Sequence, residues 1–206
     1  MDSSVITAID VEMMTRCIAL SRFAGTQGEL PFAALVCKGG RTISEATNRV
    51  ARDADVTRHA ELLAVSEAQK ALGQNDLSGC TIYSNVEPCA MCSFPIRETR
   101  IARVVFAIRS PLMGGFSKFG VIRDREMSDV MPEFFGDAPE VIGGLLVDEA
   151  ERVWRNSNPI IWGVIRYRGC FGGAPGPEAL THWHGPVRPR RINWRNIAQR
   201  MMAKGP

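Results

Sequence analysis

The chain has 206 residues, of which 45% are hydrophobic and 23% charged, and its formal net charge is +3. This length supports one well-buried domain with a short appendage, but it is short for two domains. No apolar run reaches the roughly 18 residues of a membrane span, and the first ten residues lack the profile of a signal peptide. We therefore expect a soluble, cytoplasmic protein with no membrane segment.

The charge is unevenly distributed along the chain. Residues 172–206 contain six basic residues and one acid, so this segment carries +5 and residues 1–171 carry −2. The body of the protein therefore lacks the basic surplus that is typical of a polyanion-binding surface. We predict a folded domain over residues 1–171 and a Pro/Gly-rich linker with a basic tail over residues 172–206.

The first part of the chain predicts a helix and a hairpin. Apolar residues recur at helical spacing from Asp10, a suitable N-cap, and the pattern stops at Gly25. The runs at 32–37 and 41–47 are typical of strands, and the glycine pair between them can adopt the positive φ of a tight turn. We expect these two strands to be antiparallel neighbours.

The second part predicts alternating helices and strands. A helix is expected from His59 to a stop at Gly73, and Pro88 suits the first position of another helix. The remaining predicted elements are strands at 80–85, 103–108 and 140–146 and a helix at 148–156. The turn-rich segment 109–139, with one helical turn around 123–131, has a length typical of loops that bind or cover something. This order predicts an α/β fold with a mixed sheet and helices on both faces.

Two short motifs suggest a metal centre. Cys89 and Cys92 are three residues apart, so on a helix opened by Pro88 both thiols lie on one face, near the positive end of the helix dipole. Together with His59 they form a set of three ligands that prefers zinc and leaves the fourth position for water. Three protein ligands with one open position is the arrangement of a catalytic zinc site.

Glu61 adds a proton carrier to this set. A carboxylate beside metal-bound water can take its proton and return that proton to a leaving group. Each of these residues is common on its own in a surface or buried role. The combined pattern, His59-Ala60-Glu61 followed by Pro-Cys-x-x-Cys, is a signature of zinc-dependent nucleobase deaminases. It predicts Glu61 as the catalytic residue.

Residues 10–156 resemble the cytidine deaminase-like superfamily, in the branch with tRNA adenosine deaminases and bacterial guanine deaminases. The segments that carry the resemblance are PFAALV, ATN, RHAELLAV, TIYSNVEPCAMC and RVVFAIRSP. The resemblance implies a three-layer αβα sandwich with a mixed five-stranded sheet and a catalytic Zn²⁺. It also implies hydrolytic replacement of an exocyclic amine by oxygen, and a homodimer.

The same resemblance suggests substrate contacts. Asn48 is similar to an asparagine that hydrogen-bonds the base. The amide of Cys89 and the backbone near Ala60 and Glu87 would orient the substrate. Phe32, in the dipeptide PF, resembles the residue at this position in guanine deaminase-like members. Ala33 stands where those members commonly have glycine.

Three functions remain open from the sequence. The first is deamination of a free nucleobase, nucleoside or related amino-heterocycle. It is favoured because Ser110 replaces the acidic residue that is usual in tRNA-editing members. The second is adenosine-to-inosine editing of tRNA. The third is a non-catalytic RNA-binding protein with a zinc-stabilised scaffold, whose basic tail contacts RNA with help from Trp183 and Trp194. The presence of Glu61 argues against the third, because a structural zinc has no need of it.

Overall fold

A computed structural model describes residues 5–172, which form a five-stranded sheet between two layers of helices. The strands are Ala33–Lys38 (β1), Arg41–Thr47 (β2), Cys80–Val86 (β3), Arg103–Ile108 (β4) and Glu140–Gly143 (β5). Their order in the sheet is β2-β1-β3-β4-β5. β1 is antiparallel to both β2 and β3, whereas β3, β4 and β5 are mutually parallel. The predicted mixed five-stranded sheet is confirmed.

The described part of the chain contains eight α-helices. They are Ala8–Thr26 (α1), Val50–Asp53 (α2), Ala60–Leu72 (α3), Ala90–Glu98 (α4), Glu126–Val130 (α5), Pro132–Phe135 (α6), Val147–Ser157 (α7) and Pro159–Tyr167 (α8). None of these helices is both long and apolar enough to cross a membrane.

The alternation of buried side chains along β1 shows the two layers. Leu35 and Cys37 belong to the core beneath α1, α7 and α8. Ala34 and Val36 belong to the opposite core, beneath α3 and α4. Successive residues of a strand face opposite sides, so an unbroken apolar strand such as β1 is buried on both faces. The αβα sandwich is therefore confirmed, with the sheet at its centre.

The start of α1 differs from the prediction. The N-cap is Thr7, whose hydroxyl accepts a hydrogen bond from the Asp10 amide at 3.2 Å. Asp10 closes a capping box, because its carboxylate accepts the Thr7 amide at 2.7 Å. The same buried carboxylate accepts hydrogen bonds from Tyr83 and Arg103, so Asp10 ties the helix to the sheet. The predicted N-cap role for Asp10 was wrong, and α1 also continues through Gly25.

The prediction also misplaced the start of α4 and the end of β5, and it missed some helices. Pro88 precedes α4, which has Cys89 as its N-cap, so the prediction of Pro88 as the first helical residue was wrong. β5 ends at Gly143 because Gly144 and Leu146 adopt positive φ and lead into α7. Helices α2, α6 and α8 were not predicted. α2 and α6 have four residues each, too few for a periodic signal. α8 contains the apolar run PIIWGVI, which the prediction left unassigned.

The predicted covering segment 109–139 divides into two parts. Residues 121–135 form a 3-10 turn, α5 and α6, and they pack around α4. Buried Arg97 of α4 holds this part by donating to the Asp124 carbonyl at 2.9 Å and to the Ser128 hydroxyl at 2.6 Å. Only the first part of the segment lies at the predicted site.

Candidate active site

The three predicted metal ligands meet in the folded chain. The distance between His59 Nδ1 and Cys89 Sγ is 3.6 Å, that between His59 Nδ1 and Cys92 Sγ is 3.4 Å, and the two sulfur atoms are 3.6 Å apart. Among residues 5–172, no fourth histidine, cysteine or carboxylate joins this group. The structure therefore brings together three ligand atoms that could hold one ion.

These separations fit tetrahedral zinc. Zinc–sulfur bonds of about 2.3 Å and zinc–nitrogen bonds of about 2.0 Å at tetrahedral angles place ligand atoms roughly 3.5 to 3.8 Å apart. The three observed distances lie in or near that range. A set of one imidazole and two thiols also matches the ligand preference of zinc over hard cations.

Helix starts bring the ligands into position. His59 is the N-cap of α3, and Cys89 is the N-cap of α4, with Cys92 in the first turn of the same helix. Both helices follow segments at the same end of the sheet, so their first turns converge. The positive end of each helix dipole favours negative charge there, which suits two thiolates.

The two thiols do not titrate alike. The hydrogen bond between them lowers the pKa of Cys89 to about 4, with further help from His59 and against the effect of burial. The same hydrogen bond, together with burial, raises the pKa of Cys92. Zinc requires both sulfurs as thiolates, so metal binding at this centre releases the remaining proton.

Glu61 is buried next to the ligand group. One carboxylate oxygen accepts a hydrogen bond from Ser84 Oγ at 3.2 Å, and the other lies 3.6 Å from Cys92 Sγ. Burial raises the pKa of Glu61 above its ordinary value. A carboxyl group with a raised pKa is suited to accept a proton and give it back near neutral pH.

A small pocket opens beside the ligand group. Its walls are formed by Phe32, Asn48, His59, Glu61, Val86, Glu87, Cys89, Ser110, Met113 and Phe171. Of the predicted substrate-binding residues, Phe32, Asn48 and Glu87 line this pocket. Ala60 does not, because its side chain is buried in the core beneath α3. Any contact from Ala60 would have to come from its backbone.

The Glu87 carboxylate is occupied within the protein. It accepts hydrogen bonds from the Ser110 amide at 2.8 Å, from the Ser117 amide at 2.6 Å and from the Phe116 amide at 3.1 Å. A side chain on Gly114 would collide with this carboxylate. Glu87 therefore shapes the loop that carries Ser110 and Met113. Its amide donates to the Ile108 carbonyl at 2.8 Å, so only its backbone carbonyl is left for the predicted substrate contact.

Phe171 was missed by the sequence prediction. Residues 169–172 span the boundary between the predicted domain and the predicted linker. They return to the sheet, where the Gly172 amide donates to the Arg109 carbonyl at 3.0 Å. The Phe171 ring packs edge-on against Trp154 at 5.1 Å and faces Phe32 at 6.2 Å across the pocket. No local sequence pattern marks Phe171, because it reaches the pocket only through the preceding helix α8, which was not predicted. The rest of the predicted linker and the tail lie outside the described residues.

The fold and this centre define a zinc-binding deaminase domain. The family model for the cytidine and deoxycytidylate deaminase zinc-binding region matches residues 7–108. The chain belongs to the cytidine deaminase-like family of hydrolytic deaminases, and its cofactor is zinc.

Individual relatives differ in substrate. The chain is 36% identical over 124 residues to a tRNA-specific adenosine deaminase of Aquifex aeolicus, covering 53% of this chain and 82% of that one. It is similar to the structure of a guanine deaminase from Nitrosomonas europaea, with a TM-score of 0.60, 26% identity and coverage of 76% of this chain and 87% of that one.

A further relative is much longer. The chain is 37% identical over 145 residues, or 70% of its length, to a tRNA(Ile)-lysidine synthase of Deinococcus deserti, but it spans only 26% of that protein.

Proposed function

We propose that this protein is a hydrolytic deaminase of a free nucleobase, nucleoside or related amino-heterocycle, converting its exocyclic amine to a carbonyl with release of ammonia. The observation that carries the proposal is the small, largely apolar pocket beside the ligand group. Phe32, Met113 and Phe171 form its apolar walls. Walls of this kind suit the faces of a flat ring, and a few polar groups then fix its orientation.

The residues divide the chemistry between them. His59, Cys89 and Cys92 would hold the zinc ion, which when bound supplies a Lewis acid and lowers the pKa of water. Glu61 takes a proton from the water that adds to the ring carbon bearing the amine. Glu61 passes this proton to the ring nitrogen. It then takes the proton of the hydroxyl group now on the carbon and gives it to the amine, so that ammonia leaves as the carbon–nitrogen bond breaks and the oxygen becomes the carbonyl. Ser84 holds the Glu61 carboxylate in place for both transfers.

Residues of the pocket wall would orient the substrate. Asn48 would hydrogen-bond the ring, and Phe32 would pack against its face. The amides of Ala60 and Cys89 would supply further polar contacts, since amides at a helix start have no partner within the helix. The Glu87 amide already donates to the Ile108 carbonyl at 2.8 Å, so only the Glu87 carbonyl would be available to the substrate.

The relatives favour a second candidate function, adenosine-to-inosine editing of tRNA. The Aquifex aeolicus relative carries that name and is similar over most of its own length. RNA contacts would then come from the basic segment 172–206, which contributes +5 to the net charge.

We also propose that the protein is a homodimer in solution. Phe94 of α4 and Phe134 of α6 are exposed large apolar residues, and Met91 lies on the same helix as Phe94. Phe94 packs edge-on against Phe135 of α6 at 5.3 Å, so the two helices that carry these exposed residues are in contact. Exposed apolar residues grouped on one part of a surface are typical of interaction sites. Light scattering of wild type and Phe94→Glu would test the proposal, with a dimer and a monomer expected respectively. A monomeric wild type would contradict it.

One assay separates the two substrate classes. Zinc-loaded protein is incubated with guanine, adenine, cytosine, their nucleosides and a tRNA anticodon stem, and ammonia release is measured. We expect turnover of at least one free base or nucleoside and none of the stem. Turnover of the stem alone would replace the first function with the second. Turnover of none of these compounds by fully zinc-loaded protein would exclude these bases, their nucleosides and the tRNA stem as substrates.

A further inference from the structure

Asn48 lies between the pocket and a neighbouring surface groove. It lines the pocket together with Glu61, and it also lines a groove of about 330 Å³ whose wall includes Glu29. Asn48 Nδ2 donates a hydrogen bond to Glu29 Oε2 at 2.8 Å. In the described part of the chain, no donor hydrogen-bonds the Asn48 carbonyl oxygen, Oδ1.

The chemistry of the pair fixes which way the amide points. An ionised carboxylate can only accept hydrogen bonds, so the amide nitrogen of Asn48 must face Glu29. The carbonyl oxygen, on the other arm of the planar amide, is thereby turned away from Glu29. Glu29 lines only the groove, whereas Asn48 lines both the groove and the pocket, so the pocket is the space that Asn48 borders on the side away from Glu29.

Glu29 is itself held by the start of α2. Its Oε1 accepts the Arg52 amide at 2.7 Å, and its Oε2 accepts the Ala51 amide at 3.3 Å. These amides belong to the first turn of α2, where the helix provides them with no acceptor. The helix amides therefore position the Glu29 carboxylate. Its Oε2 atom can accept a further hydrogen bond, which Asn48 donates.

We propose that Glu29 is a positioning residue that holds the Asn48 amide with its carbonyl oxygen toward the pocket. The site then accepts heterocycles that offer an N–H group to this oxygen. It discriminates against those that place an unprotonated ring nitrogen there, because two acceptors would face each other without a proton. This inference rests on the proposed function, and it specifies which hydrogen-bonding edge of the substrate meets Asn48.

The first test is Glu29→Gln. Glutamine has a single acceptor oxygen, and the two α2 amides would hold it, leaving its NH₂ group toward Asn48. Asn48 would then turn its oxygen to Gln at position 29 and its nitrogen into the pocket. We expect kcat/KM to fall about tenfold or more, mainly through KM, because the pocket loses its acceptor.

The second test uses position 48 as the matched partner. Asn48→Asp alone, assayed at pH 8, places two carboxylates side by side and should also lower kcat/KM about tenfold or more. In the double variant Glu29→Gln/Asn48→Asp, the glutamine amide can donate to the aspartate, whose second oxygen faces the pocket. We expect its kcat/KM to exceed that of either single variant by about fivefold or more, since position 48 again offers an acceptor.

A merely structural role for Glu29 predicts a different pattern. Both substitutions would then weaken the helix start, melting temperature would fall with activity, and the double variant would be the worst of the three. That result would overturn the proposal, as would an unchanged KM in Glu29→Gln. All values are ratios to wild type on the substrate that wild type deaminates. A wrong substrate class therefore shows in the wild-type assay, and a wrong role for Glu29 shows in the variant cycle.

Discussion

The two halves of the pocket are built in different ways. The metal half draws its residues from two short motifs, each at the start of a helix, so the members of each motif, His59 with Glu61 and Cys89 with Cys92, are close in sequence as well as in space. The substrate wall draws Phe32, Asn48, Ser110 and Phe171 from four separate segments. The comparison teaches that the reaction type is encoded locally, whereas the choice of substrate depends on how distant segments fold together.

The largest expected effect comes from the metal half. Cys92→Ser replaces a thiolate by a hydroxyl that is a poor zinc ligand, so we expect loss of both bound zinc and deaminase activity, with a lower melting temperature. Metal analysis and thermal melting of the purified variant measure this. Cys170→Ser is the control, because this thiol lies outside the ligand group and should leave the zinc content unchanged. Stoichiometric zinc in Cys92→Ser would contradict the ligand assignment.

A smaller and different effect is expected from the substrate wall. Phe171→Ala removes a ring that is 3% exposed and packed against Trp154, so it should raise KM about tenfold and cost about 3 kcal/mol of stability, with zinc retained. Steady-state kinetics and denaturant unfolding measure the two effects. Phe23→Ala is the control, because this ring is 58% exposed and its removal should change stability by no more than about 0.5 kcal/mol. If Phe171→Ala lowered stability and left KM unchanged, Phe171 would belong to the core and not to the wall.

The smallest effect on activity is expected from Asp10, which lies in neither half. Burial alone would raise the pKa of this carboxyl, but hydrogen bonds from Arg103, Thr7 and Tyr83 hold it below its ordinary value of 3.8. Because the folded pKa is lowered, the stability from Asp10 is complete above pH about 4 and is lost as the pH falls through the folded pKa.

Asp10→Asn should therefore cost about 2 kcal/mol of unfolding free energy at pH 7, and the difference from wild type should shrink in acid. Urea unfolding at several pH values measures this, with exposed Asp129→Asn as the control for loss of one charge. A cost that did not change with pH would show that the ionised form of Asp10 is not what stabilises the fold.

The sequence predicts the sheet and the ligand group well because their signals are local. Strands β1 and β4 are unbroken apolar runs, and the His-x-Glu and Cys-x-x-Cys spacings are short enough to survive errors in helix ends. Pro88 illustrates this, since it lies outside α4 and yet both cysteines still share the first turn. Phe171 and Glu29 could not be predicted in the same way. Each acts through a contact with a distant segment, and neither lies in a motif.

Glu61 provides the most direct test of the central claim, that a zinc centre and one buried carboxylate carry out hydrolytic deamination. Glu61→Gln keeps the shape of the side chain but cannot accept and return a proton, so it separates metal binding from chemistry. We predict full zinc content by metal analysis and a fall in ammonia release of about 10³-fold or more on the wild-type substrate. A variant that binds zinc and releases ammonia at the wild-type rate would contradict the account.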